Sequence, residues 1–202
     1  IYLRDKNAVF QEQKISNLLK NTLPVPSIIH IGSNDNYQFA ILEFMPGIPL
    51  RDLLLSDDKC DIQGIMYEVG YMLSVISKHN YPDSNSLPQE SFLDFAKKSL
   101  TNTHVISELD PQKISEINYL FYKYKDFLPK TNSQLVHGDF DPANILVKKK
   151  NGSWKVSAIL DWEFSFSGST LYDVANMLRY AHHMPLEFSS AFIKGLQDNN
   201  FI

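Results

Sequence analysis

Residues 135–147 read LVHGDFDPANILV and residues 159–163 read ILDWE, and these two segments decide how the chain is interpreted. They contain two aspartates, Asp139 and Asp161, and an asparagine, Asn144, five residues after the first aspartate. In phosphoryl transfer one carboxylate faces the attacking hydroxyl and accepts its proton. A second carboxylate and an amide oxygen hold Mg²⁺ across the nucleotide phosphates, because hard cations take oxygen ligands. The pattern therefore predicts the acidic half of a phosphoryl-transfer site. The alternative is a loop in which Asp139 and Asn144 cap their own turns.

A hairpin is expected between the asparagine and the second aspartate. The dipeptide Asn151-Gly152 is typical of a tight hairpin turn, because both residue types tolerate positive φ. It predicts strands near 146–148 and 154–156. Such a hairpin would place the asparagine and the second aspartate side by side, although 17 positions separate them in the sequence.

The composition is that of a globular protein. The chain has 202 residues, of which 44% are hydrophobic and 21% charged, enough to bury a sizeable core. The formal net charge is −4 and no run of like charge exceeds 148–150, so we expect no nucleic-acid partner. The single cysteine, Cys60, excludes an internal disulfide framework and fits a cytoplasmic protein. No apolar run approaches the ~18 residues that span a bilayer, so we expect no membrane contact.

Hydrophobic periodicity predicts an α+β fold in two parts. Strands are expected near 1–3, 28–31 and 37–42, and helices near 7–21, 62–76, 90–102, 111–127, 170–182 and 186–197. The break in composition at Met45-Pro46-Gly47 is the expected boundary between a first part, 1–45, and a mainly helical second part, 46–202.

The sequence resembles the aminoglycoside phosphotransferase family, small-molecule kinases related to choline and homoserine kinases. The resemblance rests on HGDFDPAN at 137–144, DWE at 161–163 and LYDVAN at 171–176, and on YLR at 2–4, Glu12, LPVP at 23–26 and LEFMPG at 42–47. It implies a protein-kinase-like, two-lobed fold. In that fold 1–45 would be a truncated nucleotide-side lobe, and 46–202 would carry the catalytic loop and the substrate region.

The resemblance also implies roles for individual residues. These are a catalytic base (Asp139), two Mg²⁺ ligands (Asn144 and Asp161), a backbone site for the adenine edge (Glu43, Phe44 and Met45), and a phosphate contact (Arg4) fixed by Glu12. The pair can also be argued from the residues. Glu12 lies on the same helical face as Ala8, Ile15 and Leu19, so its carboxylate needs a cationic partner, and Arg4 on the preceding strand offers one.

Four further residues either have two alternative interpretations or are expected to support the site. His137 is expected to orient the catalytic loop rather than to act as a base. By the resemblance Asp173 braces that loop, whereas its distance from Thr170 is the spacing of a capping box. Asp141 is either a substrate contact or a turn residue. Glu163 is either a contact for a cationic substrate or a solvated acid.

Two departures from protein kinases favour a small-molecule acceptor. Glycine stands at position 138, where protein kinases have the arginine that contacts a phosphorylated activation loop. Only eight residues separate Glu163 from Tyr172, so an activation segment does not fit.

The chain also lacks a Gly-x-Gly-x-x-Gly motif. The resemblance places two strands and a phosphate-covering loop before Tyr2, so we expect the chain to begin at the third strand of the fold.

The sequence thus predicts an enzyme that moves the γ-phosphoryl group of ATP or GTP to a hydroxyl of a small molecule, with an aminoglycoside as one candidate acceptor. The charges in 80–130 are mixed and favour no acceptor class. The alternative is a catalytically impaired, nucleotide-binding homologue with a regulatory or scaffolding role. The missing glycine-rich loop motivates that alternative, and the complete set of Asp139, Asn144 and Asp161 opposes it.

Overall fold

The computed structural model describes residues 8–33, 37–56, 61–81, 92–127 and 133–201, and the strand expected near 1–3 lies outside them. The helices are α1 (Ala8–Leu19), α2 (Leu50–Leu54), α3 (Ile62–Ile76), α4 (Phe92–Leu100), α5 (Thr103–Glu108), α6 (Pro111–Tyr124), α7 (Leu171–Leu178) and α8 (Leu186–Gln197). The strands are β1 (Ile28–Ser33), β2 (Gln38–Leu42), β3 (Ile48–Pro49), β4 (Gln134–Val136), β5 (Ile145–Lys150), β6 (Ser153–Ile159) and β7 (Phe166–Gly168). Among the helices described, none combines the length and the apolar character needed to cross a bilayer.

Strands β1 and β2 form an antiparallel pair against which α1 packs. The backbone N–H of Glu43 extends the pairing, because it donates to the carbonyl of Ser27 at 2.8 Å. Ala8 and Val9 of α1 are buried against Ile31 and its neighbours on this pair. The apolar face predicted for the first helix is therefore shared between this sheet and the main core, which receives the other end of α1.

The hairpin predicted at Asn151-Gly152 is confirmed. Both turn residues have positive φ, 52° and 84°, and the antiparallel strands β5 and β6 run longer than the sequence predicts. β3 adds a third strand beside β5. At the open end of the hairpin the N–H of Leu160 donates to the carbonyl of Asn144 at 2.8 Å. That bond brings Asn144 next to the segment that carries Asp161.

A short antiparallel pair, β4 with β7, is not predicted from the sequence. Each strand has three residues, too few for an alternating pattern to show. The hydroxyl of Thr170 donates to the side-chain carbonyl of Gln134 at 3.0 Å and ties the two segments together. The pair positions the site, because it joins the chain just before His137 to the chain just after Asp161.

Three of the predicted helices are divided or end earlier in the structure. The helix expected over 111–127 ends at Tyr124, and a 3₁₀ turn, Lys125–Phe127, follows it. The helix expected over 90–102 is α4 followed by a separate α5, because the side chain of Asn102 accepts the N–H of His104 at 2.9 Å and begins a new helix. The helix expected over 170–182 ends at Leu178, and a 3₁₀ turn, Ala181–His183, follows it.

Helices α3 and α8 form the centre of the main core. The apolar stripe predicted on α3 is buried, and the side chain of Asp61 caps the helix by accepting the N–H of Gly64 at 2.9 Å. The two helices approach so closely that glycine is required on both. A Cβ at Gly70 would lie 2.2 Å from the carbonyl oxygen of Phe192, and one at Gly195 would lie 2.2 Å from that of Tyr67.

We expect Gly195→Ala to lower the free energy of unfolding by about 1–3 kcal/mol, because the added methyl must push the two helix backbones apart. On an open helix the same change would stabilise by about 1 kcal/mol, since alanine is the better helix former. Urea denaturation measures the difference, with Gln197→Ala as the control on an exposed position of the same helix. Stability equal to or above that of the wild type would contradict the close packing.

Candidate active site

The loop that is predicted to be catalytic, residues 137–144 (called the catalytic loop below), has near its start a glycine in a conformation that other residues rarely adopt. Gly138 has φ of 88°, in the left-handed region. A Cβ there would lie 2.2 Å from the backbone oxygen of Phe164, so a side chain would displace the segment that follows Asp161. The loop and that segment are therefore in direct backbone contact at this point.

A buried carboxylate holds the loop in this shape. Oδ2 of Asp173 accepts the N–H of His137 at 2.8 Å, and Oδ1 accepts the N–H of Gly138 at 3.0 Å. Asp173 is fully buried. Burial raises the pKa of Asp173 to about 7, although the two backbone N–H groups lower it and the charge of Asp139 raises it slightly. Thr170 makes no side-chain cap, so the capping-box interpretation is wrong.

The side chain of His137 is neutral and connects the loop to the segment just before Asp161. Its Nε2 lies 2.9 Å from the carbonyl of Leu160, which can only accept, and its Nδ1 accepts the N–H of Asp139 at 3.2 Å. The ring is fully buried and packs against Trp162, with 4.4 Å between ring centroids and 48° between the ring planes. Burial lowers the pKa of His137 to about 4, so the imidazole stays uncharged at neutral pH. With both nitrogens engaged, the ring has no position from which to take a proton from a substrate.

Asp139 and Asn144 are joined by the asparagine amide. Nδ2 of Asn144 donates to the backbone oxygen of Asp139 at 3.0 Å and to its Oδ2 at 2.9 Å. Within the described parts of the chain, Oδ1 of Asp139 has no hydrogen-bond partner. Because the amide is planar, turning Nδ2 towards Asp139 turns the carbonyl Oδ1 of Asn144 away from it. The pair thus presents one carboxylate oxygen and one amide oxygen to its surroundings.

Asp161 stands beside this pair in the left-handed conformation, with φ of 65°. It precedes the 3₁₀ turn Trp162–Phe164. Burial raises the pKa of Asp161, and the negative charge of Asp139 raises it further. A carboxylate whose charged form is disfavoured in this way is a place where a cation would bind favourably. Where the chain is described, no three histidine, cysteine, aspartate or glutamate side chains are placed so that they could hold a metal ion together.

Helix α1 approaches the site from the side of the segment that follows Asp161. It packs against the turn Trp162–Phe164, and Nε2 of Gln11 donates to the backbone oxygen of Ser165 at 2.7 Å and contacts the Tyr81 hydroxyl. Glu12 is buried on this helix. The pKa of Glu163 is raised by burial, then by the charges of Asp161 and Glu12.

The segment after β2 presents backbone atoms. Phe44 is 86% exposed, so its side chain contributes little to packing. Within the described ranges the N–H of Met45 makes no hydrogen bond, whereas that of Glu43 is used by Ser27. Arg4, the expected phosphate contact, lies outside the described residues, so its distance from Glu12 is not part of the structure.

An open cavity of about 540 Å³ adjoins the catalytic loop. Asp139, Asp141 and Asn144 line one side of it, and Arg51 of α2 and Arg179 at the end of α7 line the others. Of the two candidate substrate contacts, Asp141 thus lies on this cavity. Glu163 lies instead near Glu12 and Asp161.

Comparison with known proteins identifies the family. Residues 3–201 match the model described as the phosphotransferase enzyme family, APH. The chain belongs to this family. It is 25% identical over 207 residues to acyl-CoA dehydrogenase family member 10 of Mus musculus, covering 98% of this chain and 19% of that protein. It is 28% identical over 156 residues to hydroxylysine kinase of Danio rerio, covering 71% of this chain and 42% of that protein. The chain thus spans less than half the length of these two relatives.

Solved structures of phosphotransferases share the fold. An aminoglycoside-3'-phosphotransferase of type VIII superposes with a TM-score of 0.64 at 18% identity, over 100% of this chain and 76% of that one. The macrolide 2'-phosphotransferase MphH from Brachybacterium faecium gives 0.64 at 15% identity, over 98% and 67%. The streptomycin–ATP ternary complex of APH(2")-IIa gives 0.62 at 18% identity, over 95% and 68%. The fold is therefore the protein-kinase-like fold of aminoglycoside phosphotransferases, as the sequence predicts.

Two site residues of this phosphotransferase-family chain, Asn176 and Arg179, were not predicted beside Asp173. Nδ2 of Asn176 donates to the carbonyl of Gly138 at 3.2 Å, and Nη2 of Arg179, the residue after α7, donates to Oδ2 of Asp141 at 2.9 Å. Together with Asp173 they are three positions apart, a spacing that places them on one face of the helix and its end. That spacing is visible in the sequence and could have identified Asn176 and Arg179.

The raised pKa of Asp173 predicts a pH-dependent contribution to stability. The carboxyl ionises near pH 4 when unfolded and only near pH 7 when folded, so its contribution is fully present below pH 4 and is lost as the pH rises to about 7. We expect the free energy of unfolding of the wild type, minus that of Asp173→Asn, to fall by a few kcal/mol between about pH 5 and pH 8.

Denaturant titrations of both proteins across this pH range measure the difference. The subtraction also removes the opposite contribution of His137, which both proteins share. That group loses stability as the pH falls from about 6.5 towards 4, because its folded pKa is lowered. A difference that does not change with pH would show that Asp173 keeps an ordinary pKa in the folded protein.

Proposed function

We propose that this chain catalyses the transfer of the γ-phosphoryl group of ATP or GTP to a hydroxyl group of a small molecule. One observation carries the proposal. The hairpin and the catalytic loop bring Asp139, Asn144 and Asp161 close together, and Asp139 and Asn144 line a solvent-open cavity large enough for a small molecule. Family membership and the shared fold support the same reaction class.

In the proposed reaction Asp139 acts as the general base. Its Oδ1 accepts the proton of the acceptor hydroxyl while that oxygen forms a bond to the γ-phosphorus, and the bond from the γ-phosphorus to the bridging oxygen breaks to release the nucleoside diphosphate. The hydrogen bond from Asn144 to Oδ2 leaves the other carboxylate oxygen turned outward for this contact. Neutral His137 keeps the backbone of Asp139 in place without competing for the proton.

Asn144 and Asp161 fit a bound Mg²⁺. The turned amide oxygen of Asn144 and the half-buried carboxylate of Asp161 are the two oxygen ligands, and the negative charge of Asp139 nearby favours a cation. When bound, the ion would neutralise charge on the nucleotide phosphates. Residues Glu12 and Arg4 are the proposed phosphate-side pair, in which the carboxylate fixes the guanidinium.

We further propose that residues 1–45 form the nucleotide side of the site and 46–202 the catalytic loop and acceptor side. The backbone at Glu43, Phe44 and Met45 then borders the base, and the N–H of Met45 is the available donor. The related structure with bound streptomycin and ATP supports a nucleotide co-substrate. The lone cysteine supports a reducing cytoplasm as the location.

Asp139→Asn is expected to lower kcat by at least about a hundredfold, because asparagine cannot accept the proton, while leaving nucleotide affinity nearly unchanged. Labelled ATP and GTP are tested with hydroxylysine, aminoglycosides, choline, homoserine and sugars as acceptors. The exposed Asp126→Asn serves as the matched control. Equal turnover in the wild type and Asp139→Asn would exclude Asp139 as the base. Nucleotide binding without turnover on any acceptor would favour the catalytically impaired homologue instead.

Asp161→Asn is expected to weaken Mg²⁺-nucleotide binding about tenfold or more, or about 1.4 kcal/mol, because a charged ligand is replaced by a neutral one. Asparagine tolerates the left-handed conformation at this position, so the backbone should not change. Isothermal titration calorimetry measures the affinity with Mg²⁺ and again with EDTA, where the difference from wild type should disappear. An unchanged affinity in Mg²⁺ would remove Asp161 from the metal site.

A further inference from the structure

We propose that the acceptor is an anion: a hydroxyl compound that also carries a carboxylate or phosphate group, which Arg51 and Arg179 bind in the cavity beside Asp139. This inference rests on the proposed function and specifies its substrate class. The chemistry of the two arginines, rather than any relative's substrate, carries it.

Arg179 is held in place before any ligand binds. Its Nη2 donates to Oδ2 of Asp141 at 2.9 Å, and its guanidinium carbon lies 4.8 Å from the ring centroid of Tyr180. The side chain remains 47% exposed on the cavity. A guanidinium has five N–H donors, and the contact with Asp141 uses one of its terminal nitrogens. The remaining donors form a fork that matches the two oxygens of a carboxylate or phosphate.

Arg51 approaches the same cavity from α2. Its backbone N–H donates to the carbonyl of Pro142 at 3.0 Å, so the start of α2 is attached to the catalytic loop itself. Its side chain is 55% exposed, with Nε 3.3 Å from Oδ1 of Asp52. An exposed ion pair of this kind contributes little and can be exchanged for a ligand at small cost.

The charges lining the cavity give no net preference for a polycation. Its two carboxylates, Asp139 and Asp141, are balanced by two guanidinium groups, Arg51 and Arg179. Arg179 is paired with Asp141, and Arg51 is in an exposed ion pair with Asp52. An acceptor with several ammonium groups would therefore meet, on this lining, only Asp139 as a carboxylate without a paired cation.

An apolar wall completes the recognition site. Met177 and Phe188 are buried, and Met184 is partly buried, on the side of the cavity formed by α7, α8 and the turn between them. These side chains offer contact to a hydrocarbon segment but no hydrogen bond to a sugar hydroxyl. The acceptor class that fits all three features is a hydroxycarboxylate, or a phosphate ester with a free hydroxyl, that carries a short apolar chain.

The test compares matched acceptors on the full chain. Short-chain hydroxycarboxylates and the phosphate monoesters of diols are measured beside the neutral primary amides of the same hydroxycarboxylates, and beside choline and an aminoglycoside. We expect kcat/KM at least about tenfold higher for one of the anion classes than for the neutral amide, and the two anion arms show whether carboxylate or phosphate is preferred. Arg51→Gln and Arg179→Gln should each raise KM for the anion about tenfold and leave KM for the amide unchanged. The exposed Lys78→Gln should leave both KM values unchanged.

Substitution of Asp141 is expected to have the opposite effect on anion affinity. Asp141→Asn frees the Arg179 guanidinium, so anion affinity should stay the same or rise, whereas a cation-binding cavity would lose affinity for choline or the aminoglycoside. The double variant Asp141→Asn/Arg179→Gln removes both charges, which avoids an unpaired aspartate, and should behave like Arg179→Gln. These opposite shifts distinguish an anion site from a general disturbance of the loop.

Anion binding is also measured without turnover, so that failure of this inference and failure of the proposed function can be told apart. Calorimetry on Asp139→Asn should show the preferred anion binding at least about tenfold more tightly than its amide. Equal affinities, or no anion binding where nucleotide still binds, would overturn the inference and leave the proposed reaction standing. Selective anion binding with no nucleotide consumption on any acceptor would instead overturn the proposed reaction.

Discussion

The two hydrogen bonds from the backbone of the catalytic loop to the buried carboxylate of Asp173 are the interaction on which the site depends. Hydrogen bonds to a charged group contribute about 1.5–3 kcal/mol each, which offsets part of the cost of burying the carboxyl. They also fix the glycine conformation at position 138 that lets the loop touch the backbone of Phe164. That contact is one of those that fix the distance between Asp139 and Asp161.

His137 transmits this constraint to the hairpin. One ring nitrogen bonds to the carbonyl of Leu160, one residue before Asp161, and the other accepts the N–H of Asp139. A charged imidazole would lose the second of these bonds, since both of its nitrogens would be donors. Burial, which keeps the ring neutral, is therefore what allows a single side chain to connect the two acidic segments. These two bonds explain how His137 supports the loop structurally, as the sequence predicts.

The sequence predicted those parts of the structure that depend on local chemistry. The dipeptide Asn151-Gly152 predicts the hairpin, because a tight turn of this kind requires residues that tolerate positive φ. The apolar stripe of α3 follows from helical periodicity. The β4–β7 pair was not predictable, because three-residue strands have no period and are fixed by tertiary hydrogen bonds such as that from Thr170 to Gln134. Arg51 was missed for a related reason. Nothing in its neighbourhood in the sequence shows that the start of α2 bonds to the carbonyl of a residue 91 positions later, Pro142.

The charges of the site differ on its two sides, and this difference is the basis of the two ligand proposals. Burial and the charge of Asp139 both raise the pKa of Asp161, so a cation bound beside these two carboxylates would be stabilised. On the cavity side the chain supplies two guanidinium groups, Arg179 in a pair with Asp141 and Arg51 in an exposed pair with Asp52. The proposed Mg²⁺ would lie on the first side. The proposed anionic acceptor would lie on the second, where an ammonium group would repeat a charge that the protein already provides.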